Sequence, residues 1–223
     1  MNKHLTLLAL AAASVAANAA TVDITYLGKD TSSPVVRTSQ TGQVAAGVLN
    51  YVDTLSGSFL AYCIEPAQPN ALTSYGAQTY TVDSFTGNQA TLLQGLFSSS
   101  YGSVQSASQQ AAFQLAVWEI TSETSSTLDV ALNAGSFFLR PANSSAGAQA
   151  TASTLESLAN GYLSAAQGYQ GSPLYTLSRL TNAAYQDLVV AVPATAVPEP
   201  ETYALLLGGL GIVGLVARRR LPR

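Results

Sequence analysis

Cys63 is the single cysteine of a 223-residue chain. Further along, Gln114 stands inside the apolar stretch Ala111-Ala112-Phe113-Gln114-Leu115-Ala116-Val117-Trp118-Glu119-Ile120. A thiol and a carboxamide can exchange: sulfur attacks the amide carbon, ammonia leaves, and a thioester remains. An amide is the more stable acyl derivative, so the exchange runs only if the two groups are pinned together. Water must also be kept out, and donors aimed at the developing oxyanion help. Tyr62 and Trp118 are candidate aromatic cover for such a pocket, and Glu65 and Glu119, beside the two reactive residues, are candidate proton carriers. The plainer reading makes Cys63 a small buried hydrophobe, Gln114 a helix-surface amide, Trp118 ordinary core and both glutamates solvated.

Other chemistry is poorly supported. The only histidine, His4, lies in the first nineteen residues, so beyond them there is no imidazole for Ser-His-Asp or Cys-His catalysis or for a histidine-containing zinc site. One cysteine makes neither an intramolecular disulfide nor a CxxC redox pair. No phosphate-binding or dinucleotide fingerprint occurs. The one close pair of acids, Glu119 and Glu123 at i, i+4, reads as a solvated helix face. We therefore expect no enzyme, no cofactor and no metal site.

Both ends point out of the cytoplasm. Residues 1–19 read as a signal peptide: Lys3, the apolar Leu5 to Ala17, then Ala17-Asn18-Ala19 as a cleavage site. An exported chain with one cysteine is unusual, because exported cysteines commonly come in disulfide-bonded pairs. At the other end, a linker (193–201) carries Pro198-Glu199-Pro200. A hydrophobic segment (202–217) and a basic tail (218–223) with Arg218, Arg219 and Arg220 follow. The segment is short for a span of about 20 residues, and the arginines would stay cytoplasmic. The chain is thus expected to be tethered at the inner membrane before processing, then held at the surface or in an extracellular matrix. Between the ends, Lys29, Arg37, Arg140 and Arg179 face eleven acids from Asp23 to Glu199, a net of about −7. So acidic a surface argues against nucleic acid.

The elements that must position Cys63 and Gln114 come from the stretch 20–192, enough for one domain. Val22 to Tyr26 alternates, Val44 to Val52 is rich in strand formers, and Phe59 to Ile64 follows a turn at Asp53 to Gly57. In that third strand Phe59, Ala61 and Cys63 share one face, and Leu60, Tyr62 and Ile64 the other. Tyr80-Thr81-Val82 is a further short strand. Helices are expected from Asn88 or Thr91, from Gln109 to about Ser122 behind a Ser106 or Ser108 cap, and from Ala148 to Ala166. Gln114, Val117, Trp118 and Thr121 share one face of the second. Gln186 to Val192 closes the domain as a strand. Strands, helices, then a strand give an α+β domain: an antiparallel sandwich or barrel with a helical insertion.

Two resemblances add to this reading. Pro198-Glu199-Pro200, the glycine-rich hydrophobic segment and the arginine cluster resemble the PEP-CTERM sorting signal of Gram-negative bacteria. That implies an exosortase as processing partner, and a host that commonly builds an exopolysaccharide or biofilm matrix. Tyr62-Cys63-Ile64-Glu65-Pro66, followed by Phe113-Gln114-Leu115-Ala116-Val117-Trp118-Glu119, resembles the paired motifs of bacterial Cys–Gln thioester domains of the surface-adhesin type. By that resemblance Cys63 is the thiol, Gln114 the acyl donor and Trp118 the motif's aromatic position; Phe113 stands where a threonine is usual. It implies adhesion through an amine-bearing partner, a lysine or a polyamine, or an exopolysaccharide. A non-reactive structural or carbohydrate-binding matrix component is the alternative, with eleven tyrosines available for sugar stacking.

Overall fold

The computed structural model describes residues 20–29, 32–53, 55 and 57–194. The expectations for the signal peptide, the Pro-Glu-Pro motif, the hydrophobic segment and the basic tail lie outside the described residues. The chain divides into two units, Met1–Val192 and Pro193–Arg223, and the first carries the fold.

Among the described residues nine strands form: β1 (Thr21–Lys29), β2 (Val35–Thr38), β3 (Gln43–Ala45), β4 (Leu49–Asp53), β5 (Gly57–Cys63), β6 (Gln78–Asp83), β7 (Leu139–Arg140), β8 (Tyr175–Thr181) and β9 (Leu188–Pro193). Three helices, α1 (Gly87–Ser100), α2 (Ala107–Ser122) and α3 (Ala146–Gly168), fall between β6 and β8. Six strands close a barrel in the order β1-β4-β5-β9-β8-β6, and β3-β2-β7 make a separate small sheet. The fold is α+β: a barrel with a helical insertion. Closure leaves the barrel no edge strand to protect from pairing with another chain.

The stretch expected as one strand over Val44 to Val52 is two. At Gly47 the backbone takes φ 154°, and a Cβ there would come within 2.8 Å of Ser33 Oγ. The break sends β3 to the small sheet and β4 to the barrel. Along β4 and β5 the alternation holds. Leu49 lies opposite Ala61 and Tyr51 opposite Phe59, and cross-strand partners share a face.

The second helix is not amphipathic. All ten residues from Ala111 to Ile120 are buried, as befits a helix that is apolar nearly all round. Barrel strand β5 covers one side of it, and α1 and α3 pack on it as well. Its start is fixed by a capping box. Ser106 Oγ accepts from Gln109 N–H, and Gln109 Oε1 accepts from Ser106 N–H, which satisfies two end donors at once.

Candidate functional site

Cys63 ends β5, and its last regular partner is Leu188 of β9. Gln114 sits two turns into α2. The carboxamide of Gln114 lies along the Cys63 peptide: Cys63 N–H donates to Gln114 Oε1 at 2.9 Å, and Gln114 Nε2 donates to Cys63 O at 2.7 Å. Both residues are buried, Gln114 at 1% exposure and Cys63 at 4%. A second tether follows about two turns along α2, where the Thr121 hydroxyl donates to the Ile64 carbonyl at 2.9 Å. Helix and strand end are thereby locked in register. The Gln114 amide is thus held against the Cys63 backbone, and both residues line one cavity. Burial pushes the thiol well above its usual range, and the charge of Lys29 works against that shift.

Cys63 and Gln114 open onto a cavity of about 270 Å3 whose wall includes Lys29, Gln68, Trp118 and Gln186. Lys29 reaches it through a β-bulge. Strand β1 pairs with β4 in regular register as far as Tyr26↔Tyr51, then slips by one residue at Gly28 (φ 121°), so that Lys29 faces Leu49. Without the extra residue, alternation would turn Lys29 to the outer face. With it, Lys29 shares the inward face of Leu49, itself a cavity residue. Re-aiming one side chain is a known use of a bulge.

Of the four flanking candidates, Trp118 alone lines the cavity with Cys63 and Gln114. It lies roughly 40° around the helix from Gln114, and its Nε1 is buried without a hydrogen-bond partner. Tyr62, expected as cover, points the other way, because neighbouring strand residues face opposite sides. Its ring packs between barrel and helices against Phe113 (4.9 Å between centroids), Tyr101 and Phe97. Phe113 belongs to that aromatic cluster.

Glu119 follows Gln114 by five positions, roughly 140° around the helix, and turns away. It is 0% exposed, so the solvated-face reading fails for it. Burial pushes its carboxyl up to about 7, although Oε1 accepts from Asp129 N–H at 2.8 Å. Glu123 is no idle surface acid either. Burial raises it, but hydrogen bonds from Phe137 N–H, Ser125 N–H and the Ser136 hydroxyl prevail and hold it at about 2. The two glutamates organise the segment between α2 and β7. Glu65 lies where the chain turns away from β5. It lines a different groove, with Arg179 and Asp187; burial and the Asp187 charge raise its carboxyl against the pull of Arg179. Neither glutamate reaches the thiol.

The sequence reading missed Lys29, Gln68 and Gln186. Lys29 carried a signal, being the only lysine after residue 3; its position needed the bulge. Gln186, just before β9, is held by its Nε2 donating to Glu65 O at 2.8 Å, just past the end of the neighbouring strand β5.

Residues 196–220 match the PEP-CTERM protein-sorting motif. The chain is therefore an exported protein sorted to the surface, with an exosortase as its processing partner. Solved structures that resemble the chain include two from Streptococcus pyogenes. The N-terminal domain of the Streptococcus pyogenes pilus tip adhesin Cpa is 17% identical, with a TM-score of 0.46 over 78% of this chain and 93% of that one. The N-terminal thioester domain of fibronectin-binding protein SfbI from Streptococcus pyogenes is 15% identical, with a TM-score of 0.41 over 76% of this chain and 98% of that one. No curated protein matches the sequence. Among the described residues, no helix is long and apolar enough to cross a membrane.

Proposed function

We propose that Cys63 and Gln114 form an internal thioester through which this surface protein captures an amine on a partner. The observation that carries the reading is the paired hydrogen bond between the Gln114 carboxamide and the Cys63 peptide, 2.9 and 2.7 Å, inside a buried site.

In the first step Cys63 Sγ attacks Gln114 Cδ. The Cys63 N–H, already on Oε1, stabilises the charge that develops there. The C–N bond breaks, and Nε2 departs as ammonia with the proton the thiol gives up. The product is neutral, so the burial that penalises a thiolate does not penalise the thioester. A thiol whose proton is held tightly is also a poor leaving group, which protects the bond from water. In the second step a partner's neutral amine attacks the same carbon, the C–S bond breaks, and the amine's proton passes to sulfur. An amide then joins partner to protein, and Cys63 is again a thiol. The group is consumed once, so the protein is a single-use coupling device rather than an enzyme.

Intact mass of the exported chain tests this. The native protein is expected to be lighter than its encoded sequence by one ammonia and to gain methylamine. Cys63→Ala and Gln114→Ala are each expected to carry the full mass for their sequence and to ignore methylamine. A native protein with its full encoded mass and a titratable thiol would reduce the pair to a structural hydrogen-bonded bridge in a matrix component.

A further inference from the structure

The cavity beside Cys63 and Gln114 carries four further amide side chains among apolar wall residues such as Val44, Leu49, Pro66 and Pro69. Gln43, Gln68, Asn70 and Gln186 line it, Trp118 supplies an aromatic face, and Lys29 is the one charged side chain among the described residues that line it. No carboxylate among them faces the opening. Gln68 Oε1 and Trp118 Nε1 are each buried without a hydrogen-bond partner. Buried polar groups are normally satisfied, and both of these belong to residues of the cavity wall.

That wall discriminates among amines. Only the neutral amine attacks, and a lysine side chain, at its ordinary pKa of 10.4, is neutral in about one part in a thousand near pH 7.4. The cavity offers no carboxylate to pair with its ammonium and no base to strip it, and Lys29 repels it. An amine of the α-amino kind, with a pKa near 8, is neutral in roughly a fifth of its molecules at the same pH. The amino group of a 2-amino sugar belongs to this weaker class, because neighbouring C–O bonds withdraw charge from it. Its ring hydroxyls suit the amides of the wall, and its apolar face suits Trp118.

Taking the thioester reading as the base, we propose that the acceptor this cavity takes is a hexosamine with a free amino group, carried on a polysaccharide, in preference to a protein lysine. The sugar nitrogen attacks Gln114 Cδ, the C–S bond breaks, one N–H proton passes to Cys63 Sγ, and a secondary amide joins the sugar to Gln114. The bulge at Gly28 makes the selection possible, since it puts the Lys29 ammonium at the cavity.

The test follows adduct formation on the full exported chain by intact mass near neutral pH, with four probes: methylamine, glucosamine, glycinamide and Nα-acetyl-lysine amide. Glucosamine is expected to react faster than glycinamide and with a rate that saturates. Nα-acetyl-lysine amide is expected to lag both by about tenfold or more, as its neutral fraction dictates. Gln68→Ala should raise the half-saturating glucosamine concentration more than it alters glycinamide capture, and Lys29→Gln should speed capture of the lysine derivative. If methylamine adds but glucosamine neither saturates nor outruns glycinamide, the sugar preference falls while the thioester stands. Fastest capture of the lysine derivative overturns it equally. A native chain of full encoded mass that takes no methylamine overturns both.

Discussion

Gln114 makes a donor and an acceptor in one rigid plane, and both are used on the backbone N–H and C=O of a single residue, Cys63. No other side chain of the same shape can do this at neutral pH. In a Cys63→Ala background, where no cross-link can form, Gln114→Glu isolates the bridge. The ionised carboxylate still accepts from the residue 63 N–H but faces the residue 63 carbonyl with a second acceptor. A buried group left unsatisfied costs about 1–3 kcal/mol, more when charged. The double variant should therefore unfold at lower urea than Cys63→Ala at pH 7. The deficit should shrink in acid, where the protonated carboxyl regains a donor. Equal midpoints at both pH values would mean that the bridge contributes nothing.

At the scale of elements, α2 is held by what packs around it, and the α1–α3 contact closes the helical layer over it. That contact is close at Gly95, where a Cβ would overlap the Ala166 carbonyl oxygen of α3. A backbone atom cannot swing aside, so Gly95→Ala must push the two helices apart. Overpacking of this kind costs about 1–3 kcal/mol, to be read as a lower melting temperature. Gly161, within α3, has no atom within 4 Å of a built Cβ. There the same substitution should stabilise by about 0.5–1 kcal/mol, because alanine is the better helix former. Opposite signs at two helical glycines separate packing from propensity; same-sign shifts would contradict the α1–α3 contact.

For the molecule as a whole, the two glutamates beyond the reactive face set opposing pH limits. Glu119 is raised from 4.5 to about 7, so the native state binds the extra proton between those values. Stability from this group is fully present below pH 4.5 and is lost as pH rises through 7. The span caps the effect at roughly 3 kcal/mol. Glu123 is lowered from 4.5 to about 2; its contribution is present above 4.5 and disappears as pH falls through 2. Unfolding free energy measured across this range should thus decline from about pH 5 to pH 8, and Glu119→Gln should flatten that decline. A variant that keeps the native slope would place the titration elsewhere.

Much of this was readable from residue order. Strand β1, strand β5 with its two faces, and the three helices followed from period 2, period 3.6 and caps such as Ser106, all local properties of a chain. Strands β2, β7 and β8 were not readable: β7 is two residues long, and β8 mixes Arg179 and Ser178 with its apolar positions, so their pairing is decided by distant partners. The same division runs through the site. Chemical type singled out Cys63, Gln114 and Trp118, because a lone thiol and an amide in an apolar run are unusual wherever they lie. What joined them was the docking of α2 on the end of β5, and what brought Lys29, Gln68 and Gln186 beside them was barrel closure and a one-residue bulge. Tyr62, Glu65 and Glu119 lie within five positions of the reactive residues in sequence, yet face elsewhere. Adjacency along a strand or helix sends side chains apart, whereas sharing a cavity depends on register between elements, which no local pattern encodes.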